Sequence, residues 1–290
     1  MIIYSVHDLD DMKVIKWRLT DFCNYHCSYC IRRPIADPHT LEEDMSKSLN
    51  AVDGVVRIAE HLNYRFGVPV KIDLIGGEVS CSDVTKEIIK KLGFSDAIGK
   101  INITTNLSRN IDWYTDLIEE SRKKISITAS FHPEEADLKT YLNKALILSR
   151  LCQFKCETVI TQEATHIDAF VNFCEQNKIY YMCEENLFDE SLRGQARRNT
   201  KQNYRYLVKT DEGNKYFYTR NEFIKQYAED GIAFNTQGFK CTRDYDYVYV
   251  DRDTVFMCTS KVPVEKYKLL MKEHACPRGK CTMCGHASLF

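Results

Sequence analysis

Three cysteines, Cys23, Cys27 and Cys30, stand at C-x3-C-x2-C spacing in the segment Thr20-Asp21-Phe22-Cys23-Asn24-Tyr25-His26-Cys27-Ser28-Tyr29-Cys30. Clustered thiolates suit an iron–sulfur cluster, for which four cysteines are the usual ligand number. Three, with no fourth nearby, leave one iron of a cubane open to another ligand. Two plainer readings compete. Positions i, i+4 and i+7 share a helical face and could simply be buried, or zinc could take the three thiolates with His26 as a fourth ligand. Asn24, His26 and Ser28 are poor helix formers, which weakens the first of these.

A second group lies in the tail: Cys241, Cys258, Cys276, Cys281 and Cys284. Tyr247–Val250 and Val255–Met257 predict a hairpin turning at Asp251-Arg252-Asp253, which would set Cys241 and Cys258 on neighbouring strands. Cys281-x2-Cys284 adds a tight pair of thiols. Four thiolates close either a structural zinc site or an auxiliary iron–sulfur cluster, with Cys276 a ligand, a replacement or a bystander. The remaining Cys81, Cys152, Cys156, Cys174 and Cys183 read as buried, inert thiols. Thirteen cysteines cannot all pair, and in a reducing compartment clustered ones read as metal ligands.

The elements that must position these groups follow from periodicity. Val14–Thr20, Lys71–Ile75, Ile101–Thr105, Ile125–Phe131, Cys156–Thr161 and Ile179–Cys183 predict strands separated by amphipathic helices. One helical stripe runs through Met45, Leu49, Val52, Val56, Ala59 and Leu62, and Asp83, Asn110 and Thr165 are expected N-caps. Six β–α units imply an α/β fold, a partial (β/α)6 TIM-type barrel with its chemistry at the strand C-termini. Residues 1–190 form this barrel. Residues 191–240 form a linker with a hairpin turning at Asp211-Glu212-Gly213-Asn214 and a helix over Arg220–Glu229. Residues 241–290 form a small cysteine-rich α+β domain.

At the end of the second expected strand stands Ile75-Gly76-Gly77-Glu78. The glycines permit a tight turn and close approach of backbone to a ligand, and Glu78 adds a carboxylate. Thr104-Thr105-Asn106 closes the third strand, and Ser130 closes the fourth within Ser130-Phe131-His132-Pro133. With the cysteine spacing and Tyr29 before the last cysteine, this pattern resembles the radical S-adenosylmethionine (SAM) enzymes over residues 14–185. The resemblance implies that Cys23, Cys27 and Cys30 bind a [4Fe–4S] cluster whose fourth iron is chelated by SAM. Tyr29, Gly76, Gly77, Glu78, Thr105, Asn106 and Ser130 would be the SAM-binding residues, while His132 is left open as a substrate contact or a turn residue. It implies cleavage of SAM to a 5′-deoxyadenosyl radical that abstracts hydrogen, and an external one-electron donor of flavodoxin or ferredoxin type. The tail resembles the twitch or SPASM extensions that bind an auxiliary [4Fe–4S] cluster, which suits oxidation of a peptide or small polar substrate. Two departures stand out: five tail cysteines rather than seven or eight, and Asp253-Thr254 where those hairpins carry glycine.

The sequence singles out no catalytic acid or base. Glu184 and Glu185 could bind a polar substrate or be solvated. The run of Arg197, Arg198, Lys201, Arg205, Lys209 and Lys225 with Tyr204, Tyr206, Tyr216, Phe217 and Tyr218 admits an RNA or nucleotide substrate. An alternating, half-buried strand explains it better. A zinc-stabilised binding protein without turnover is the reading from another class. The net charge of −1 offers no global attraction to nucleic acid or membrane. With no apolar run long enough to span a bilayer and no leader pattern at Met1–Lys13, a cytoplasmic protein is expected.

Overall fold

The computed structural model describes residues 2–5, 12–30, 32–33, 35–162, 165–186, 188–192, 195–198, 206–210, 213–217, 240–241, 247–256, 261–266 and 274–275. In chain order the elements are β1 (Ile2–Ser5), β2 (Lys13–Arg18), α1 (Pro38–Phe66), β3 (Val70–Ile75), α2 (Val84–Leu92), β4 (Ile98–Thr105), α3 (Ile111–Glu120), β5 (Lys124–Phe131), α4 (Leu138–Leu148), β6 (Gln153–Ile160), α5 (Ile167–Gln176) and β7 (Tyr180–Glu185). Then follow β8 (Arg197–Arg198), β9 (Tyr206–Thr210), β10 (Gly213–Phe217), β11 (Lys240–Cys241), β12 (Tyr247–Asp251), β13 (Thr254–Phe256), β14 (Lys261–Pro263) and β15 (His274–Ala275).

Strands β2 to β7 pair in parallel in sequence order, each joined to the next by one helix. After β7, where a sixth helix is expected, the described chain makes a 3₁₀ turn at Glu190–Leu192 and pairs β8 antiparallel to β7. Ile15, Trp17, Ile72, Leu74, Ile101, Ile103 and Ile127 alternate along the strands. They are at most 1% exposed, in one core shared with the buried faces of the helices. Burying each such side chain stabilises the fold by about 1.5–3 kcal/mol. The intervening positions form the other face and are mostly polar, with Val14 and Ile75 the buried apolar exceptions on β2 and β3.

Helix α1 starts where Asp37 accepts a hydrogen bond from the His39 amide and Pro38 takes the first turn. It ends at Gly67, whose φ of 67° is the left-handed conformation glycine tolerates. Its most buried residues include Val55 and Ile58, so the stripe is broader than the expected one, and Leu49 and Val56 are only partly buried. Asp83 and Asn110 occupy N-cap positions without making a cap bond, and His166 replaces Thr165 at the third. Asp83 is drawn instead to the Trp113 indole N–H (2.8 Å) and the Arg109 guanidinium.

The sheet does not stop at residue 241. Strand β12 pairs in parallel with the outer edge of β2, and β13 and β14 extend the sheet beyond it. The β12–β13 hairpin forms as expected but with a two-residue turn. Arg252, rather than Asp253, takes the left-handed conformation, at φ 52°. Strand β11, carrying Cys241, pairs with β15 and not with this hairpin. Cys258, Cys276, Cys281, Cys284 and the expected helix over Arg220–Glu229 lie outside the described residues. Strands β9 and β10 pair antiparallel as the expected hairpin requires, with Gly213 and Asn214 already part of β10, and β9 also pairs with β1.

Candidate active site around the cysteine loop

The loop from Leu19 to Ile35 leaves β2 and is held first by backbone. Leu19 N–H donates to Ile75 O (2.9 Å), Gly77 N–H to Thr20 O (2.8 Å) and Glu78 N–H to Phe22 O (2.7 Å), continuing the β2–β3 ladder beyond both strands. A Cβ at Gly77 would sit 2.0 Å from Phe22 O, and one at Gly76 would sit 2.6 Å from Thr20 O. The glycines are therefore required by the close approach of the cysteine loop itself, where sequence reasoning expected a ligand.

Glu78 is 1% exposed. Its carboxylate accepts from Ser80 N (2.9 Å), Thr105 Oγ1 (2.7 Å) and Asn106 N (2.5 Å). Burial pushes its pKa up, and these hydrogen bonds oppose the shift. Thr105 is equally engaged, with Glu78 and the Tyr114 hydroxyl. The two side chains expected to meet a cofactor thus bind each other, because a buried carboxylate needs donors. Asn106 extends the network to the cysteine loop, its Nδ2 donating to Asn24 Oδ1 (3.0 Å). Cys81, expected in an apolar segment, donates its thiol to the same Asn24 oxygen. Ser130 stands outside this network, across from Glu157 in the β5–β6 register.

A second set of contacts comes from the β5–α4 connection. Glu135 accepts from His26 N (2.8 Å), and Glu134 accepts from both the amide and the hydroxyl of Ser28 (2.6 Å each). The Tyr29 ring is 7% exposed and stacks on His132 at 6.1 Å, with its hydroxyl 3.2 Å from Nδ1. Tyr25 meets the same imidazole edge-on. Burial holds His132 down at about 4, against the pull of Glu135 and Glu134. His132 is thus an anchor for the loop, and Tyr29 is turned toward protein.

The third set comes from the C-terminal hairpin. Arg252 pairs with Asp21 (2.7 Å) and Asp44 (3.4 Å), and Arg18 pairs with Asp251 and Asp21. Buried Asp44 also accepts from Thr20 Oγ1 and Asp21 N. The Trp17 indole donates to Arg252 O (2.8 Å). Sequence reasoning missed Asn24, Asp44, Cys81, Glu134, Glu135 and Arg252 as parts of this site. Only the positive φ of Arg252 had a trace, in the turn expected one residue later.

Cys27 is buried, and Cys23 and Cys30 are half-buried; all three are free thiols. Burial pushes Cys23 up to about 12 and Cys27 up to about 11, and each thiol is felt by its neighbour in the loop. Among the described residues no three His, Cys, Asp or Glu side chains converge on one point. The three free thiols stand on one loop, anchored from three sides at the C-terminal end of a parallel sheet. The His26 side chain is exposed. Cys156, Cys174 and Cys183 are core thiols, as expected.

Comparison with solved structures places this architecture. SuiB from Streptococcus suis, in a crystal structure bound to S-adenosylmethionine, matches 89% of this chain and 64% of its own, with a TM-score of 0.53 and 14% identity. A second SuiB crystal structure gives the same values. The chain shares that fold. A curated relative, an S-adenosylmethionine-dependent nucleotide dehydratase from Psychrobacter lutiphocae, is 26% identical over 134 residues, 45% of this chain and 43% of the relative. The chain therefore matches under half of that relative and under two thirds of SuiB. No family model matches. Among the described residues no helix is long and apolar enough to cross a membrane.

Proposed function

We propose that this chain is a radical SAM enzyme, in which Cys23, Cys27 and Cys30 hold a [4Fe–4S] cluster at the mouth of the parallel sheet. The observation that carries the reading is the lock between the cysteine loop and the Gly76-Gly77 turn, in a fold shared with a protein crystallised with SAM. When bound, the cluster would supply the electron that splits SAM into methionine and a 5′-deoxyadenosyl radical, which takes a hydrogen atom from substrate. The backbone of Gly76 and Gly77 and the exposed side of Asn24 and Ser130 are the groups that would orient SAM. Glu78, Thr105 and Asn106 are positioning residues that hold this turn, and Tyr29 and His132 hold the loop.

The substrate is a peptide or small polar molecule. A nucleotide is the second reading, favoured by the name of the curated relative. We assign four of the five tail cysteines Cys241, Cys258, Cys276, Cys281 and Cys284 to an auxiliary cluster that would accept an electron from the substrate radical, and a small flavodoxin or ferredoxin to delivery of the first electron. The test is iron, sulfide and zinc content after anaerobic reconstitution, for wild type and for the Cys23/Cys27/Cys30 triple alanine variant. About eight iron atoms in wild type and about four in the variant are expected. Wild type holding only zinc would overturn the reading; a variant with zinc and no iron would make the tail structural.

A further inference from the structure

The face of the sheet opposite the helices carries Lys16 on β2, Asp73 on β3, Asn102 on β4, Ser126 and Thr128 on β5, and Lys155 and Glu157 on β6. Lys16, Asp73, Asn102 and Ser126 lie side by side in register, as do Thr128 and Lys155. Asn102 is 8% and Ser126 4% exposed, so the polar row is enclosed. Sequence reasoning overlooked it, although a polar residue at every second position of an apolar strand is its signature.

The charges on this face do not balance. Asp73 lies 3.2 Å from Lys71, although its buried Oδ1 accepts no hydrogen bond, and Glu157 pairs with Lys155 (2.5 Å), each on its own strand. The Lys16 side chain makes no hydrogen bond or ion pair among the described residues, although Asp73, Arg32 and Glu157 all act on it electrostatically. Arg32, two residues after Cys30, has a buried Nη1 with no hydrogen-bond partner. A buried guanidinium nitrogen and an ammonium without carboxylates of their own are costly, and an arriving anion removes that cost.

We propose that Lys16 and Arg32 form an anion-binding subsite inside the barrel that receives a carboxylate or phosphate group of the substrate. Lys16 lies two residues before the end of β2, and Arg32 lies in the cysteine loop two residues after Cys30. A molecule held there by its anionic end extends toward the strand C-termini, where the radical would be generated. Lys16 keeps some accessible surface although burial lowers its pKa, as a side chain opening onto an internal space would. The planar guanidinium offers two parallel donors to either oxyanion, and Lys16 adds a point charge. This subsite deepens the reading above, but its test needs neither cluster nor turnover.

The test is thermal unfolding of the full chain with pyrophosphate or malonate, each against chloride at equal ionic strength, with and without SAM. Wild type is expected to melt about 3 °C higher when either anion exceeds its dissociation constant about tenfold. Lys16→Met and Arg32→Met are expected to lose that response. Without anion, Lys16→Met is expected to melt at or above wild type, because it removes an unpaired charge; an ordinary structural lysine would give a lower melting point. Lys16→Arg is expected to keep the response. An anion effect equal to that of chloride, or one surviving in both methionine variants, overturns the proposal. If SAM abolishes the anion response and Lys16→Met weakens SAM binding, the site reads the cofactor's own carboxylate and the substrate assignment falls. None of these outcomes alters the iron content of the reconstituted protein, so the two readings fail separately.

Discussion

Replacing Gly77 by alanine puts a methyl group where Phe22 O already stands, at 2.0 Å. Ordinary contact begins near 3.4 Å, so the cysteine loop and the Gly-Gly turn must separate by about 1.4 Å. That displacement takes the Gly77–Thr20 and Glu78–Phe22 hydrogen bonds, 2.8 and 2.7 Å long, out of range. Two lost backbone bonds at about 1 kcal/mol each, with overpacking strain of about 1–2 kcal/mol, predict a destabilisation of about 3–4 kcal/mol. For a chain of this size the melting point should fall by about 6–10 °C. Gly67→Ala is the control. Its Cβ meets nothing within 4 Å, and only the positive φ opposes it, at about 1 kcal/mol. Global stability is read by thermal melting, and the loop by timed alkylation of Cys23 and Cys27 with mass spectrometry. Gly77→Ala should speed alkylation of these two thiols well beyond Gly67→Ala, with Gly76→Ala between them. Equal melting points and labelling rates for Gly77→Ala and wild type would show that the lock does not position the loop.

Arg252→Ala removes the cation facing Asp21 and buried Asp44, and should cost about 2–3 kcal/mol by thermal or urea unfolding. Arg252→Gly should cost about 1 kcal/mol less, since it also releases a left-handed backbone. His132, between Tyr25, Tyr29, Glu134 and Glu135, has a folded pKa near 4 against an ordinary value near 6.5. The unfolded chain therefore binds the proton first, so its stabilising contribution is complete above pH 6.5 and is lost as pH falls toward 4, by up to about 3 kcal/mol. His132→Phe should flatten that acid limb in urea titrations at pH 4–7. Glu134→Ala, at an exposed contact, should change global stability by about 1 kcal/mol or less. It should nonetheless raise the labelling rate of Cys27 and Cys30 severalfold.

The strands of the parallel sheet were legible because each alternates β-branched residues through a run bounded by glycine or polar turns, and all six lie within three residues of their expected starts. Helix termini were less so. Asp83 looks like a cap but is claimed by Trp113 and Arg109, partners 26 and 30 residues away that no local pattern reveals. At the site, Cys23, Cys27, Cys30, Gly76 and Gly77 could be read from spacing. Their supports could not, since Glu134, Glu135 and Arg252 reach the loop from 106 to 231 positions along the chain. Glu78 and Thr105 were recognised as important while their burial was not, because burial is a property of packing and not of residue type.

The parallel pairing of β12 with β2 has a consequence for the order of assembly. During synthesis β2 and the cysteine loop emerge more than two hundred residues before the strand that covers their edge. Until then β2 presents an unpaired row of amides and carbonyls, and Asp21 and Asp44 lack Arg252. A contact of such sequence separation is slow to form, and domains otherwise fold as their N-terminal parts appear. The cysteine loop is therefore fastened from the β3 and β5 sides first and from the hairpin side last. For a time the nascent chain carries three thiols on a loop that is still accessible and lacks its last clamp.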